Sequence, residues 1–363
     1  MTLVLDTEQE LLKDSVERLV RERYGFAERL RLARDGAWSR PFWGLLADQG
    51  LLGIGFSEDA GGLGEDGISA MLVAEALGRG LCLEPYLETV IVPSAALAAA
   101  GDAHHAMIED IITGKKIVAP VFNRLSAEEE GKGVRLSGHA RHVTHGDDAD
   151  LLLVTAEGSD GRIHAGFVET LGDGVICRRY TGFDGRGAAE ITFENVHIGA
   201  ENMLATPEGG GRIAEHMEQA AIASLSAEAS GIMAAVLDLT VEQLRTRQQF
   251  GQPLASFQSL QHRLAEMAIE LEQTRSMANY AAHLTQSDDV DERRAGFAAI
   301  KGVVSASARF VGQQAVQLHG GLGVSEEHQI GWAHKRLTMI DMQFGGAAEQ
   351  YSRLASLGGL GAN

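Results

Sequence analysis

The sequence has little cysteine: only Cys82 and Cys177 in 363 residues, far apart and without metal-ligand spacing. That argues against a disulfide framework and fits a reducing compartment. Basic residues are also short, with 31 Lys and Arg against 50 Asp and Glu, for a formal net charge of −19. A surface of that sign repels phosphodiesters and anionic headgroups, so neither nucleic acid nor a membrane is expected as a partner. The longest apolar run, near Thr89 to Gly101, is too short to span a bilayer and contains Pro93. The opening Met-Thr-Leu-Val-Leu-Asp-Thr-Glu lacks the basic start and long apolar stretch of a secretion signal, so a cytoplasmic location is expected. No Gly-x-Gly-x-x-Gly loop follows a strand-like run, which leaves a Rossmann domain without support. A P-loop, a Ser-His-Asp order and a paired-cysteine motif are likewise missing.

What is present is a globular chain, 45% hydrophobic and long enough for two or three domains. Thr7 with Glu10 reads as a capping box, and Leu12, Val16 and Leu19 then recur at helical spacing. Helical patterns continue through Trp43–Gln49, Ile68–Leu77, Pro93–Ala100 and Ala106–Thr113, so residues 1–115 read as a helical domain. From Lys116 the texture changes to short β-branched or apolar runs parted by Gly, Asp and Ser. Those runs predict an antiparallel sheet or barrel over residues 116–205. Beyond that, Leu260, Leu264, Met267 and Leu271, and then Phe297, Ile300, Val304, Val311, Ala315 and Leu318, step by three, four or seven. Long apolar-striped helices need one another for burial, so residues 206–363 read as a bundle.

Three segments carry candidate chemistry. His139, His142 and His145, followed by Asp147, Asp148 and Asp150, invite a metal reading. In strand and turn sequence, however, alternate side chains diverge, so no metal site is expected. The stretch Arg247-Gln-Gln-Phe250-Gly251-Gln-Pro, with Gln258 after it, places a cation, an aromatic ring, a bare backbone and an amide in one loop. Arginine suits a phosphate through paired N–H bonds, glycine admits close approach, and a ring offers a face to another ring. The same residues also read as an ordinary corner between two helices. Gln317-Leu-His-Gly320-Gly321-Leu-Gly323 reads either as a glycine helix end or as a backbone surface for a flat ligand.

Four features together resemble the acyl-CoA dehydrogenase family, in order and over essentially the full chain. They are Phe56-Ser-Glu-Asp-Ala-Gly61-Gly62-Leu-Gly64; Thr192-Phe-Glu-Asn195-Val-His with Asn202 and Leu204; Arg247-x-x-Phe250-Gly251 with Gln258; and Gln317-x-x-Gly320-Gly321-x-Gly323. The resemblance implies an α+β fold: an N-terminal helical domain, a central antiparallel β-barrel-like domain and a C-terminal four-helix bundle. It implies FAD as cofactor and an acyl-CoA thioester, oxidised at Cα–Cβ, as substrate. Arg247 is expected on the FAD pyrophosphate, with Phe250, Gln258, Gln317, Gly320 and Gly321 lining the nucleotide across a subunit interface.

The departures from the family pattern are specific. The flavin-facing loop expected near Val118–Ala127 is replaced by Val-Ala-Pro-Val-Phe-Asn-Arg-Leu-Ser-Ala, and the following strand reads His142-Val143-Thr144, leaving only the Thr144 hydroxyl for the flavin edge. The glutamate base falls on Gly345, before Gly346, when Arg336 is placed on the family's arginine. The alternative base position falls near Ala221. Asp341 and Glu349, one helical turn to either side of Gly345, are expected to substitute only if the backbone shifts. Catalytic residues are therefore left unassigned. The resemblance implies the small, base-lacking subunit of a heteromeric acyl-CoA dehydrogenase, of the paired type acting on dicarboxylyl or steroid-chain thioesters. Its partners are a homologous subunit and an electron-transfer flavoprotein. The alternatives are a self-sufficient dehydrogenase with a relocated base, a flavin oxidase or monooxygenase of the same fold, and a non-catalytic structural subunit.

Overall fold

The computed structural model describes residues 5–64, 66–101, 104–204 and 207–359. Six helices come first: α1 (Thr7–Arg23), α2 (Phe26–Arg34), α3 (Arg40–Asp48), α4 (Gly67–Arg79), α5 (Val92–Ala100) and α6 (His105–Ile112). A π-helical turn, Leu87–Ile91, runs directly into α5. The strands are β1 (Val118–Glu130), β2 (Gly133–Thr144), β3 (Leu151–Gly158), β4 (Ile163–Glu169), β5 (Val175–Thr181) and β6 (Gly187–Ile198). Then follow α7 (Pro207–Thr246), β7 (Gln248–Gln249), β8 (Gln252–Pro253), α8 (Gln258–Leu284), α9 (Val290–His319), α10 (Gln329–Met342) and α11 (Ala347–Ser356). The chain packs as two compact units. One gathers residues up to Leu30, Gly67–Cys82 and everything from Ile222; the other holds Arg31–Asp66 and Leu83–Ala221.

In the sheet-bearing unit β2 begins by alternating buried and exposed residues, as a half-covered strand does, whereas the interior of β4 is buried on both faces. In β2, Val134 and Leu136 are buried while Arg135 is exposed. The inward set includes Val121, Leu136, Ala140, Leu152, Ile191 and Phe193. Gly131, at φ +64°, stands first in the two-residue turn joining β1 to β2, where a type II′ hairpin needs glycine.

The expectation of an antiparallel barrel is corrected here. The strand order is β4-β3-β1-β2-β6-β5, an open sheet with β4 and β5 at its two edges, and β1 pairs with β3 in parallel. A barrel requires each strand to be paired on both sides. Here β2 hairpins back onto one edge of β1, so β3 can reach β1 only on the other edge, running in the same direction. The segment expected to carry the flavin-facing loop is strand β1, with a register break between Val121 and Leu125.

In the other unit the predicted stripe of α9 is buried throughout: Phe297, Ile300, Val304, Val311, Ala315 and Leu318 are each at most 8% exposed. On α8, Met267 and Leu271 are buried, whereas Leu260 and Leu264, nearer its start, are half-buried. Helices α4 and α7 cross at glycines, since a Cβ added to Gly231 would fall 2.8 Å from the Arg79 nitrogen. The buried Arg336 of α10 donates to both oxygens of Glu228 on α7, at 2.7 and 2.6 Å. The first helix is capped one residue earlier than its sequence suggests. Asp6 accepts from the Gln9 amide at 2.9 Å and the Gln9 side chain accepts from the Asp6 amide at 3.2 Å. Aspartate and glutamine form this reciprocal pair as well as the expected threonine and glutamate.

One stretch, Gly209–Thr246, is long and apolar enough to cross a membrane by length and composition. Its most apolar window is 78% buried within the fold, as in a core helix.

Candidate active site

The loop after α7 is a tight hairpin. Gln248 pairs with Pro253 and Gln249 with Gln252, leaving Phe250 and Gly251 as the two turn residues. Both have positive φ, +54° and +79°. That is the signature of a type I′ turn, which glycine adopts freely and phenylalanine adopts under strain. The strain holds an apolar ring in the open: Phe250 is 88% exposed, with Phe257 at 6.0 Å, edge-on, as its one aromatic neighbour among the described residues. Arg247, at the base of the hairpin, is exposed, and its guanidinium makes no hydrogen bond or ion pair to the described residues. Gln258 opens α8 and is exposed; no side chain caps that helix, and the Leu260 and Gln261 N–H groups both donate to the Phe257 carbonyl.

The Gln317 segment ends α9. Gln317, Gly320 and Gly321 are exposed, and a Cβ added to either glycine would meet nothing within 4 Å. That is open backbone, which a flat ligand can approach closely. Beneath it His319 is buried, with its Nδ1 2.9 Å from the Ala315 carbonyl oxygen. Burial, with the His328 ring 5.2 Å away, pushes its pKa below the ordinary value.

The register of α8 against α9 brings the two segments together. Arg263 Nη1 donates to Gln314 Oε1 at 3.0 Å; seven residues on in α8 and seven back in α9, Ser307 Oγ donates to Glu270 Oε2 at 2.6 Å. The helices are therefore antiparallel. Extending that register the other way sets Gln258 level with the His319–Gly320 end of α9. Arg247, Phe250, Gln258, Gln317, Gly320 and Gly321 thus gather at one end of this helix pair.

Thr144 lies in the sheet-bearing unit, at the end of β2 opposite Ala188. It is half-buried, with its hydroxyl 3.4 Å from His142 Nε2. The three nearby histidines do not converge. His139 Nδ1 meets the Thr192 hydroxyl at 3.1 Å, His142 Nδ1 meets the Tyr180 hydroxyl at 2.6 Å, and His145 is buried at φ +56° beyond the strand end.

At the α10–α11 turn, Phe344 and Gly345 both have positive φ, +58° and +86°. Lys301, fully buried on α9, reaches this turn: its Nζ donates to the Ser305 hydroxyl at 2.5 Å, to the Asp341 carbonyl at 3.1 Å and to the Gly345 carbonyl at 3.0 Å. Burial lowers its pKa to about 8, opposed in part by Asp341 and Glu349. Asp341 is buried and its Oδ2 accepts from Arg309 Nε and Nη2, at 3.0 and 2.5 Å. The Glu349 side chain folds back, so a Cβ built on Gly345 would lie 2.7 Å from its Oε2. Ala221, the alternative base position, is fully buried. Lys301 and Arg309 were not singled out by the sequence reading. The available signal was a lysine beside Ile300 within an apolar stripe, four residues before a serine.

Comparison with known proteins fits this geometry. The family model for the acyl-CoA dehydrogenase N-terminal domain matches residues 6–105, and that for the C-terminal domain matches residues 209–354; together they cover well over half of the chain. The acyl-CoA dehydrogenase FadE27 of Mycobacterium tuberculosis is 29% identical over 339 residues, covering 87% of this chain and 87% of that protein. The crystal structure of the ChsE4–ChsE5 complex from Mycobacterium tuberculosis shares the fold at TM-score 0.90 and 24% identity, covering 98% of both chains. A variant of the Tcur3481–Tcur3483 steroid ACAD matches at TM-score 0.89 and 25% identity, covering 96% of this chain and 97% of that one. The exposed cation, ring and open glycines are groups suited to a dinucleotide with a pyrophosphate and flat rings, and the chain belongs to the acyl-CoA dehydrogenase family, whose cofactor is FAD.

Proposed function

We propose that this chain is one subunit of a heteromeric acyl-CoA dehydrogenase, of the small type that lacks the usual base, oxidising the Cα–Cβ bond of an acyl-CoA thioester with an FAD shared across the subunit interface. The observation that carries this reading is the contrast between two positions. The groups suited to FAD at the α8–α9 end are exposed, and Arg247 has no hydrogen bond or ion pair among the described residues, while position 345 bears glycine. Two structures of similar fold, ChsE4–ChsE5 and Tcur3481–Tcur3483, pair two chains, which supports a homologous subunit as the partner. When bound, FAD supplies the two-electron acceptor for the hydride lost from Cβ.

The chain's own residues hold and orient. Arg247 would hold the pyrophosphate through charge-assisted N–H bonds. Phe250 offers its ring face, Gln258 and Gln317 supply amide donors and acceptors, and Gly320 and Gly321 let the nucleotide rest against backbone. Thr144 would offer its hydroxyl to the flavin. An external acceptor of the electron-transfer flavoprotein type would take up the electrons that the cofactor would carry.

The test is the visible spectrum of the chain purified alone and then after co-expression with a homologue bearing the usual glutamate. A colourless chain that becomes yellow at about one FAD per pair supports the half-site reading. A yellow chain bleached by acyl-CoA on its own instead establishes a self-sufficient enzyme.

A further inference from the structure

The two edges of the sheet are finished differently. On β4, Gly166 bridges to Met203 and the Leu204 N–H donates to the Ala165 carbonyl at 2.9 Å, so the segment after β6 covers that edge. At the opposite edge β5 has β6 on one side and, among the described residues, no strand or bridge on the other.

The ladder with β6 fixes which main-chain groups face outward. The Gly182 N–H donates to the Arg186 carbonyl at 2.7 Å, and at the other end the Glu194 N–H donates to the Gly174 carbonyl at 2.8 Å. In an antiparallel ladder, residues bonded to the partner strand alternate with residues turned away from it. Counting inward from both ends, Ile176, Arg178 and Tyr180 bond to β6, whereas Cys177, Arg179 and Thr181 turn their N–H and C=O groups to the open edge. Those groups have no other hydrogen-bond partner among the described residues. A row of free donors and acceptors at a sheet edge is a template for a further strand.

The side chains narrow what that strand can be. Arg178 and Arg179 are both exposed at mid-strand, with exposed Ile176 and Tyr180 to either side. The Arg178 side chain stays 83% exposed although Glu190 stands 3.4 Å from it. In a chain of net charge −19 this is a local reversal of sign. A second copy does not fit here. Antiparallel pairing of β5 with itself would bring the two Arg178-Arg179 pairs together, and like charges across a strand pair destabilise it.

We propose that the β5 edge accepts an extended, acidic segment of another protein as an added strand, held through the main chain at Cys177, Arg179 and Thr181 and selected by Arg178 and Arg179. This binding function goes beyond the shared-FAD reading and does not rest on it. The competing account is that the arginines only guard the edge against self-association.

The test is hydrogen–deuterium exchange of the full chain with the peptide acetyl-Thr-Val-Val-Glu-Glu-Val-Thr-amide, and with the same peptide carrying Lys-Lys in place of Glu-Glu. Adjacent glutamates on a strand point to opposite faces, as Arg178 and Arg179 do. The expected result is slowed exchange over Val175–Thr181 with the Glu-Glu peptide, weakened by added salt, and none with the Lys-Lys peptide. An Arg178→Glu/Arg179→Glu double variant should bind the Glu-Glu peptide about tenfold or more weakly, with an unchanged melting temperature. No protection by the Glu-Glu peptide, or equal protection by both peptides, would overturn the proposal. That comparison uses the wild type, so it decides even if the double variant does not fold. Self-association of an Arg178→Thr/Arg179→Thr variant, with no peptide bound by the wild type, would overturn it in favour of guarding.

Discussion

The α8–α9 end and the Gly345 turn both concentrate polar groups, yet they use them in opposite ways. At the first, Arg247 has no hydrogen-bond or ion-pair partner among the described residues and Phe250 is held open by a strained turn. At the second, the buried Lys301 spends its ammonium on a hydroxyl and two carbonyls, and Arg309 is paired with Asp341. Buried polar groups are costly unless bonded. A paired cluster is therefore what stability alone would produce, whereas an exposed ring at positive φ is not. The comparison separates groups that the fold leaves unbonded among the described residues from groups that it pairs internally.

The sharpest way to break this contrast is Lys301→Met. It should cost roughly 1–3 kcal/mol for each buried acceptor left unsatisfied, seen as a lower urea midpoint. An unchanged midpoint would mean the cluster is not structural. Next, Arg247→Ala should weaken FAD retention by about 1.5–3 kcal/mol, the value of a charge-assisted hydrogen bond. The melting temperature of the flavin-free protein should stay the same, and unchanged flavin content would remove Arg247 from the site.

The third test uses pH. Lys301 titrates at about 8 in the folded state against an ordinary 10.5. Below pH 8 both states carry the proton and stability is flat. Between 8 and 10.5 the folded state sheds it first, so stability rises with pH, by about 1 kcal/mol from pH 7 to 9. Urea curves at those two values should show the rise in the wild type and its absence in Lys301→Met. The smallest effect is expected from Phe250→Asn. Asparagine tolerates positive φ, so the flavin-free protein should hold or gain a few tenths of a kcal/mol by relief of strain, while flavin binding weakens. A loss of stability would show that the ring packs rather than waits.

Much of this was legible along the chain. The stripe from Phe297 to Leu318 marks the buried face of α9, and the Phe250-Gly251 pair marks a turn. The sheet was less so: short alternating runs reveal strands, but nothing local in β1 or β3 says that they pair in parallel or that β4 and β5 stay at the edges. Asp6 replaced Thr7 as cap because adjacent residues with similar side chains compete for the same amide. Lys301 was passed over because a lysine beside an apolar stripe reads as a helix flank until the turn that receives its ammonium is in place.

By itself, then, the sequence determined what repeats over a few residues: the helical and strand periods, the acidic balance, the glycine at 345 and the phosphate-suited arginine at 247. The tertiary structure decided the open mixed sheet, the register that sets Gln258 level with Gly320, the burial of Lys301 and the fold-back of Glu349 over Gly345. The reason is physical. Periodicity and capping are written in neighbouring residues, whereas strand order, helix register and the filling of an emptied volume depend on which distant segments happen to share space.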